Sequence, residues 1–333
     1  MKKLLTLAII SLFIHIENAS AKIWRVNNVP GISADFTTAQ NAHDGATAGD
    51  TIYLESSPIS YGSLTATKQL VWFSLGYFLT NNPGLQYQTN TGFIDGLTVN
   101  AGADGSVFQL TCNSGISINS CTRLTFQRCY VASIFQISGT SNNITITQCY
   151  FNFNNFLSIT PSTPESTFTV INNMGNVNYV NINSNAYLVV FSNNTIFSSP
   201  NRFTIDNAAI SNNIFYNAAS GTLNDAGYPS NVTNNLWVSV TDTNYVGKSN
   251  NIFATTASTV FAGGSSPDAQ YALAAGSPAM GTGAGGIDMG AFGGTAPYVV
   301  SLIPAIPSIY QLAVPANASG NTLPCTVSTK ANN

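Results

Sequence analysis

Residues 123–130 read RLTFQRCY, and residues 143–150 read NITITQCY. The second stretch repeats the pattern of the first, so that Phe126 aligns with Ile146 and Cys129 with Cys149. Within each stretch, apolar residues alternate with threonine or glutamine, which is the period of two that is typical of a half-buried β-strand. The two stretches therefore predict strands that recur about every twenty residues and stack on one another in register.

Asparagine pairs extend the repeat further along the chain. Their spacing is close to that of the two stretches in most cases, but it is wider after the first pair and narrower before the last. Asparagine suits tight bends because it tolerates the left-handed backbone region and bonds its own backbone there. The uneven spacing indicates turns of variable length between short strands. The pairs are Asn142-Asn143, Asn172-Asn173, Asn193-Asn194, Asn212-Asn213, Asn234-Asn235 and Asn250-Asn251.

A single repeat is too short to bury its own apolar side, so successive repeats have to stack. At the strand spacing of about 4.8 Å, stacking closes a continuous apolar column. An antiparallel sandwich would need hairpin turns such as Asn-Gly or Asp-Gly, and the chain has only isolated examples such as Asp44-Gly45. The sequence therefore predicts an all-β fold, a single-stranded right-handed parallel β-helix over residues 22–296.

The start of the chain has two features of its own. Residues 1–21 combine a basic start, an apolar stretch and the small-residue sequence Ala19-Ser20-Ala21. Together these predict a cleavable secretory signal peptide rather than a membrane anchor. Residues 35–42 read as a short amphipathic helix, which we expect to cap the column because the open end of a solenoid exposes strand edges and apolar side chains.

Residues 297–333 form a proline-rich segment with a different composition from the repeats. Two short strands are predicted within it, at residues 309–314 and 325–329. The segment is interpreted as a C-terminal tail or small β appendage. A strand or loop laid along the solenoid and a sorting or anchoring element are the two roles that the sequence leaves open.

Three segments carry a resemblance to known proteins. Residues 49–54 read GDTIYL, residues 277–281 read SPAMG, and residues 287–294 read IDMGAFGG. They resemble the opening and closing motifs of secreted right-handed parallel β-helix repeat proteins of the pectate-lyase-like superfamily, especially those of Bacteroidetes-type bacteria. The resemblance spans residues 23–298 and implies the fold. It implies no single function, because that superfamily contains lyases, hydrolases and non-enzymes.

Charged residues make up only 7% of the chain, against about 25% in ordinary globular proteins. The 10 basic and 13 acidic residues are scattered. A nucleic-acid groove needs clustered lysine and arginine, so the sequence predicts no nucleic-acid partner. No stretch beyond the signal peptide is apolar and long enough to span a membrane. The expected location is secreted, periplasmic or at the cell surface.

Arg202 and Asp206 are the strongest candidates for a catalytic site. On a strand their side chains share one face, where Arg202 would serve as a base or sugar-binding group and Asp206 as its partner. The alternative is a solvent-facing pair of little energetic consequence. The other carboxylates are isolated, whereas inverting glycosidases need two carboxyl groups roughly 6.5 to 9.5 Å apart.

The five cysteines match no zinc-binding spacing, and the sequence predicts neither a metal ion nor a cofactor. An odd number of cysteines leaves at least one free thiol in an exported chain. Cys129 and Cys149 lie one repeat apart, within disulfide range. They are interpreted either as a disulfide or, preferably, as two stacked buried thiols, since cysteine packs well as a small apolar residue.

The sequence also predicts, for two further groups of residues, whether they lie in the core or on the surface. Arg123 and Arg128 are both predicted to be surface residues. A cluster of aromatic residues is expected to fill the column, with stacking on sugar rings as the alternative. Its members are Tyr130, Tyr150, Phe151, Phe153 and Phe156.

The sequence supports two functional hypotheses. The first is a non-catalytic protein that binds a polysaccharide or cell-surface glycan, or serves in adhesion or envelope structure. It rests on a long neutral face rich in asparagine, threonine and serine. The second is a polysaccharide lyase or glycoside hydrolase with a divergent site near Arg202 and Asp206. Ice binding is disfavoured, because the irregular repeats do not predict regular threonine rows.

Overall fold

The computed structural model of the chain describes residues 21–153, 157–162, 166–177, 179–182, 186–197, 202–205, 208–217, 223–224, 231–239, 249–317 and 321–332. The predicted signal peptide, residues 1–21, lies outside these ranges apart from Ala21. The described residues contain one α-helix, four short 3₁₀ helices and 29 strands. None of these helices is long and apolar enough to cross a membrane.

The helix and strands are short throughout. The α-helix α1 spans Ala39–Gly45, and the 3₁₀ helices are Ala257–Thr259, Ala269–Tyr271, Ala284–Gly286 and Val300–Leu302. The strands of the first half are β1 Ile23–Val26, β2 Thr51–Leu54, β3 Leu64–Ala66, β4 Val71–Ser74, β5 Phe93–Ile94, β6 Leu97–Val99, β7 Val107–Gln109, β8 Thr111–Cys112, β9 Ile116–Asn119, β10 Thr125–Gln127, β11 Tyr130–Val131, β12 Phe135–Gly139, β13 Ile144–Thr147, β14 Tyr150–Phe153 and β15 Leu157–Pro161. Those of the second half are β16 Ser166–Ile171, β17 Met174–Val177, β18 Tyr179–Ile182, β19 Ala186–Ser192, β20 Thr195–Phe197, β21 Arg202–Ile205, β22 Ala208–Ser211, β23 Ile214–Tyr216, β24 Leu223–Asn224, β25 Asn231–Thr233, β26 Leu236–Val238, β27 Ile252–Ala254, β28 Ser308–Ala313 and β29 Thr326–Lys330.

The first 27 strands form three parallel sheets, and from β3 to β26 the chain visits the sheets in rotation. One turn contributes β10, β11 and β12, and the next contributes β13, β14 and β15. Phe126 pairs with Ile146, and Tyr130 pairs with Tyr150, which confirms the register predicted from the two repeated stretches. The fold is therefore a parallel β-solenoid. Sheet 1 is β1-β2-β4-β7-β10-β13-β16-β19-β22-β25, sheet 2 is β5-β8-β11-β14-β17-β20-β23-β26-β27, and sheet 3 is β3-β6-β9-β12-β15-β18-β21-β24.

Inward-facing side chains from the three sheets form one apolar column. Phe126 of sheet 1 stacks on Phe108 of the preceding turn, with ring centroids 5.0 Å apart. It also meets Phe135 of sheet 3 edge to face at 5.1 Å. All three side chains are fully buried. Burial of each such ring contributes about 1.5–3 kcal/mol, and no single turn could bury these rings alone.

The second asparagine of each later pair lies in a buried ladder at the corner between sheets 1 and 2. The backbone N–H and Nδ2 of Asn194 both donate to Oδ1 of Asn213. Its Nδ2 also donates to the carbonyl of Val170 on the preceding turn. The same pattern links Asn173, Asn194, Asn213, Asn235 and Asn251. Each of these turns is thereby joined to the next by buried amide hydrogen bonds.

The wide spacing after the first asparagine pair has a structural explanation. The pair Asn142-Asn143 lies at a different corner, between sheets 3 and 1, where Asn143 begins the approach to β13 with a φ of 52°. The ladder position one turn before Asn173 is occupied by Cys149, whose backbone N–H donates to Oδ1 of Asn173 at 2.9 Å. The expectation of one continuous series of asparagine pairs is therefore wrong at its first member.

Cys129 continues the ladder one turn before Cys149. Its backbone N–H donates to Sγ of Cys149 at 3.4 Å, and no disulfide joins the two residues. Each thiol donates to a backbone carbonyl of the turn before it, that of Phe108 or Phe126. The preference for stacked buried thiols agrees with this arrangement.

Residues 255–306, here named the C-terminal strap, follow the last solenoid strand and lie along the outer face of sheet 2. Asn172 donates to the carbonyls of Ala291 and Gly293, at 3.0 and 2.7 Å. Within the strap, the buried carboxylate of Asp268 accepts from the backbone N–H of Ser301 at 2.6 Å. The strap covers an aromatic cluster, so this face of the solenoid is not open to solvent. The cluster includes Tyr130, Tyr150, Met174, Phe197, Tyr298 and Leu302.

The strap corrects the expectation for Arg128, which is only 8% exposed. Its Nη1 donates to the carbonyl of Ile303 at 2.7 Å, and its Nε donates to Oε1 of Gln148 at 3.1 Å. The place of Arg128 near a bend of the repeat predicts a surface residue, whereas the strap buries it. Arg123 is exposed, as predicted.

The helix α1 packs against the first strands, β1, β2 and β3. Oγ1 of Thr38 caps its N-terminus by accepting from the backbone N–H of Asn41 at 3.2 Å. At its C-terminus, Nζ of Lys68 donates to three carbonyls, those of His43, Asp44 and Ala46. These contacts satisfy backbone groups that a helix end would otherwise leave without partners.

Candidate functional site

The outer face of sheet 3 carries a row of small polar side chains. Thr65 pairs with Thr98, and Thr98 pairs with Ser117. The row continues through Gln136 on the next turn. These residues point outward because they alternate along each strand with buried apolar residues, such as those on either side of Thr98. The result is one hydroxyl or amide group per turn, at the strand spacing of about 4.8 Å.

A second polar row runs beside the first. Nδ2 of Asn119 donates to Oδ1 of Asn100 at 3.1 Å, and Oγ of Ser138 donates to Oδ1 of Asn119 at 2.9 Å. These hydrogen bonds connect neighbouring turns and hold the side chains in fixed orientations. A ligand therefore meets polar groups that are already positioned, which lowers the entropy cost of binding.

Two glycines form the floor of a shallow groove next to these rows. Gly96 and Gly115 precede β6 and β9, and the backbone N–H of Leu97 donates to the carbonyl of Gly115 at 3.0 Å. A Cβ at Gly115 would lie 3.0 Å from the carbonyl oxygen of Ile134, closer than an ordinary contact. The groove, here named the sheet 3 trough, has a volume of about 320 Å³. It is lined by Ser63, Leu64, Thr65, Gly96, Leu97, Thr98, Gly115, Ser117, Ser133, Ile134 and Gln136.

The strands of this face carry no charge over most of their length. The first six strands of sheet 3, from β3 to β18, contain no aspartate, glutamate, lysine or arginine. An uncharged surface of hydroxyl and amide groups both donates and accepts hydrogen bonds without a net field. Such a surface suits a neutral, hydroxyl-rich ligand.

The predicted pair Arg202 and Asp206 is only half described. Arg202 is the first residue of β21, on sheet 3, and its backbone pairs with that of Tyr179. Asp206 lies outside the described residues, as do Glu165, Asp225 and Asp242. The hypothesis of a catalytic pair therefore stays a prediction.

Of the two carboxylates near the described part of sheet 3, Asp104 has structural contacts. Oδ1 of Asp104 accepts from both the backbone N–H and the hydroxyl of Thr122, at 2.6 and 2.9 Å. Burial raises the pKa of Asp104, but hydrogen bonds, chiefly those from Thr122, outweigh burial and hold the pKa below its ordinary value. Asp95 is exposed. Within the described ranges, no three histidine, cysteine, aspartate or glutamate residues lie together as a metal site.

The predicted aromatic cluster does not provide a sugar-stacking surface on sheet 3. Tyr130 and Tyr150 are buried beneath the C-terminal strap, outside the column rather than in it, and Phe151 is buried in the column. Phe156 lies outside the described residues, and the side chain of Phe153 is likewise not described. The expectation that the cluster fills the column is therefore correct for Phe151 and wrong for the two tyrosines.

Comparisons with protein-family models, with curated proteins and with solved structures found no match. The class of the molecule follows from its own geometry. It is an all-β parallel solenoid with one face covered by a C-terminal strap and another that presents uncharged polar rows.

Proposed function

We propose that this chain is a secreted or cell-surface right-handed β-helix protein of the pectate-lyase-like type that binds a neutral glycan along sheet 3 without cleaving it. The observation that carries the proposal is the uncharged double row of hydroxyl and amide groups beside a glycine-floored trough. A glycan chain presents hydroxyl groups at regular intervals, and the rows offer partners at regular intervals.

Binding rather than catalysis is favoured by the chemistry of these strands. Glycoside hydrolysis needs two carboxyl groups on opposite sides of the bond that is cleaved. The first six strands of sheet 3 supply none. In this proposal α1 acts as the N-terminal cap, residues 1–21 direct export, and residues 297–333 form a C-terminal tail or small β appendage.

A polysaccharide lyase or hydrolase is the second candidate, because Arg202 lies in β21 of the same sheet. Lyase activity on uronate-containing polysaccharides would appear as absorbance of unsaturated products, and hydrolase activity as new reducing ends. Product formation that disappears in both Arg202→Ala and Asp206→Ala would establish this alternative and reject the non-catalytic proposal.

Titration calorimetry with neutral and uronate-containing oligosaccharides tests the binding proposal directly. The double variant Thr98→Val/Gln136→Met removes two polar groups of the row while keeping the size of the side chains. Its matched control is Thr145→Val on the outer face of sheet 1. We expect binding of a neutral oligosaccharide that weakens about tenfold or more in the double variant only, since each lost hydrogen bond contributes about 1 kcal/mol. Equal weakening in the control would contradict a site on sheet 3.

A further inference from the structure

A second cleft lies on another side of the molecule, between the first turns of sheet 1 and the segment that leads into β28. Its volume is about 600 Å³, within the range of small-molecule sites. We name it the hairpin cleft, because β28 and β29 pair as an antiparallel hairpin at its rim. It is lined by Arg25, Asn27, Val29, Ile32, Tyr53, Glu55, Ser56, Leu75, Gln86, Tyr87, Gln88, Ile303, Pro304, Ile306, Pro307, Ser308, Ile309, Leu312 and Asn332.

The charges in the hairpin cleft are balanced. Nε of Arg25 donates to Oε1 of Glu55, and Nδ2 of Asn27 donates to Oε2 of the same carboxylate at 2.8 Å. Both oxygens of Glu55 therefore have partners. The Arg25 side chain is 50% exposed, and its two Nη groups have no hydrogen-bond partner among the described residues. The cleft thus offers free N–H donors without a net charge.

In the part of the chain that the structure describes, Gln86 presents an amide without a hydrogen-bond partner to this cleft. The residue is only 7% exposed, yet its amide makes no hydrogen bond to any described residue, and it lines the cleft. Its amide atoms face the open cleft rather than the core, so they are available to a ligand. An amide both donates and accepts, so its best complement is another amide.

Two tyrosines of the cleft also present groups to which a ligand can bind. The Tyr53 ring stacks on Phe73 with centroids 4.6 Å apart, and its hydroxyl has no partner among the described residues. Burial raises the pKa of Tyr53 to about 12, so the hydroxyl keeps its proton and can donate. Tyr87 is 55% exposed at the rim, which leaves its ring available for stacking on the apolar face of a sugar.

We propose that the hairpin cleft binds an N-acetylated sugar of a neutral glycan. The acetamido group pairs with the Gln86 amide, and its methyl group contacts Leu75 and Ile309. The sugar ring stacks on Tyr87, while its hydroxyl groups accept from Arg25 and Tyr53. This site is separate from the sheet 3 trough and does not depend on the function proposed there.

The lining distinguishes this ligand from related sugars. A plain hexose has no methyl group for the apolar wall and no amide for Gln86. A free amino sugar carries an ammonium charge, whose desolvation against isoleucine, leucine and proline is costly. A uronic acid brings a negative charge to a cleft in which Glu55 already offsets Arg25. The acetamido sugar alone satisfies both the apolar and the amide groups.

Titration calorimetry with the tetramer of N-acetylglucosamine tests the proposal. The comparison ligands are its deacetylated form, the glucose tetramer with the same linkage, and N-acetylalanine methylamide as a peptide-like amide. We expect the acetylated tetramer to bind and the others to bind at least about tenfold more weakly, because the loss of one hydrogen bond and one apolar contact is of that size. Equal binding of the peptide-like amide, or no preference for the acetylated tetramer, would overturn the assignment.

Two variants locate the site. Gln86→Met removes the amide without changing the length of the side chain, and Tyr87→Ala removes an exposed ring whose loss cannot disturb the core. Both should weaken binding of the acetylated tetramer about tenfold, whereas Gln136→Met in the sheet 3 trough should leave that binding unchanged. The opposite pattern would place acetamido binding on sheet 3 and refute the proposal for the hairpin cleft. If no neutral oligosaccharide bound at sheet 3 while the acetylated tetramer still bound at the hairpin cleft, only the proposed function would be refuted.

Discussion

Oδ1 of Asn213 accepts two hydrogen bonds from Asn194 of the preceding turn, one from the backbone N–H at 2.8 Å and one from Nδ2 at 3.0 Å. Both residues are fully buried. The contact joins two turns through groups that no water can reach. Since the same contact recurs from turn to turn, the ladder fixes the register of the stack in addition to the backbone hydrogen bonds.

Asn213→Leu tests the contribution of the ladder to stability. The variant leaves the two donors of Asn194 without an acceptor and removes the Nδ2 bond to the carbonyl of Phe191. Each unsatisfied buried group costs about 1–3 kcal/mol, so we expect the free energy of unfolding to fall by about 3 kcal/mol or more. Denaturant unfolding followed by circular dichroism measures the change. Asn113→Ala, at an exposed asparagine, is the control and should be nearly neutral. A neutral Asn213→Leu would show that the ladder has no energetic role.

Cys149 occupies the position in the buried ladder that asparagine fills in the later turns, so we expect asparagine to be tolerated there. In Cys149→Asn the new amide can donate to the carbonyl of Phe126 and accept from the backbone N–H of Cys129, which are the present contacts of Sγ. We expect its stability to stay within about 1 kcal/mol of the parent chain, and Cys149→Ala to lose about 1–2 kcal/mol. Thermal unfolding of both variants provides the comparison. If Cys149→Asn proved less stable than Cys149→Ala, the ladder would not extend to this turn.

Thiol reactivity should differ sharply among the five cysteines. Cys325 is the exposed one, and the other four are buried. Burial raises the pKa of Cys112 to about 12 and that of Cys121 to about 11, so neither forms an appreciable amount of thiolate at neutral pH. A chromogenic disulfide reagent should therefore titrate one thiol in the native protein and all five after unfolding. A count of three in the unfolded, unreduced chain would indicate a disulfide and contradict the stacked thiols.

Asp50 should make the N-terminal turns sensitive to acid. Its carboxylate accepts from the backbone N–H of Lys22, from Nε1 of Trp24 and from the backbone N–H of Thr47, at 2.8, 2.8 and 2.9 Å. Burial pushes the pKa of Asp50 upward, but these hydrogen bonds outweigh it and hold the pKa below its ordinary value. A depressed folded-state pKa means that its stabilisation is complete above the unfolded value of about 3.9 and is lost as the pH falls through the folded value.

The corresponding variant is Asp50→Asn, which keeps the shape but loses the charge and one acceptor. At neutral pH it should lower the free energy of unfolding by about 1–3 kcal/mol. The difference from the parent chain should begin to shrink as the pH falls below about 4, where Asp50 of the unfolded chain takes up a proton, and should disappear below the lowered folded-state pKa. Unfolding experiments at several pH values would show this convergence. A difference that stays constant with pH would mean that the charge of Asp50 contributes nothing.

The sequence is sufficient to predict those structural features that are set by contacts between adjacent turns of the solenoid. The alignment of Phe126 with Ile146 is enough to place strands in register, because each turn contacts only the next one. The hairpin cleft could not be predicted in this way. Gln86 and Ile309 meet there although they lie far apart in the chain. Their meeting depends on the path of the C-terminal strap, for which no periodic pattern exists. The uncharged face of sheet 3 is an intermediate case. The composition predicts that this face carries little charge, but it does not predict the trough.

Arg123 and Arg128 form a matched pair that tests the C-terminal strap. Both have a positive φ, 56° and 53°, so a substitution meets the same backbone constraint at either position. Arg128 donates to the carbonyl of Ile303 and to Gln148 beneath the strap, whereas Arg123 is exposed. Burial lowers the pKa of Arg128, but an arginine remains charged at neutral pH. Its loss therefore removes two charge-assisted hydrogen bonds.

We expect Arg128→Met to reduce the free energy of unfolding by about 2–4 kcal/mol, because hydrogen bonds to a charged group contribute about 1.5–3 kcal/mol each and methionine recovers part of the packing. Arg123→Met should change stability by less than about 0.5 kcal/mol, as is usual for surface substitutions. Hydrogen exchange separates local from global effects. In Arg128→Met the amides of Ser301 and Leu302 should exchange faster than those of the sheet 1 strands, because the strap loosens before the solenoid unfolds. Equal effects of the two variants would show that the strap is held without Arg128.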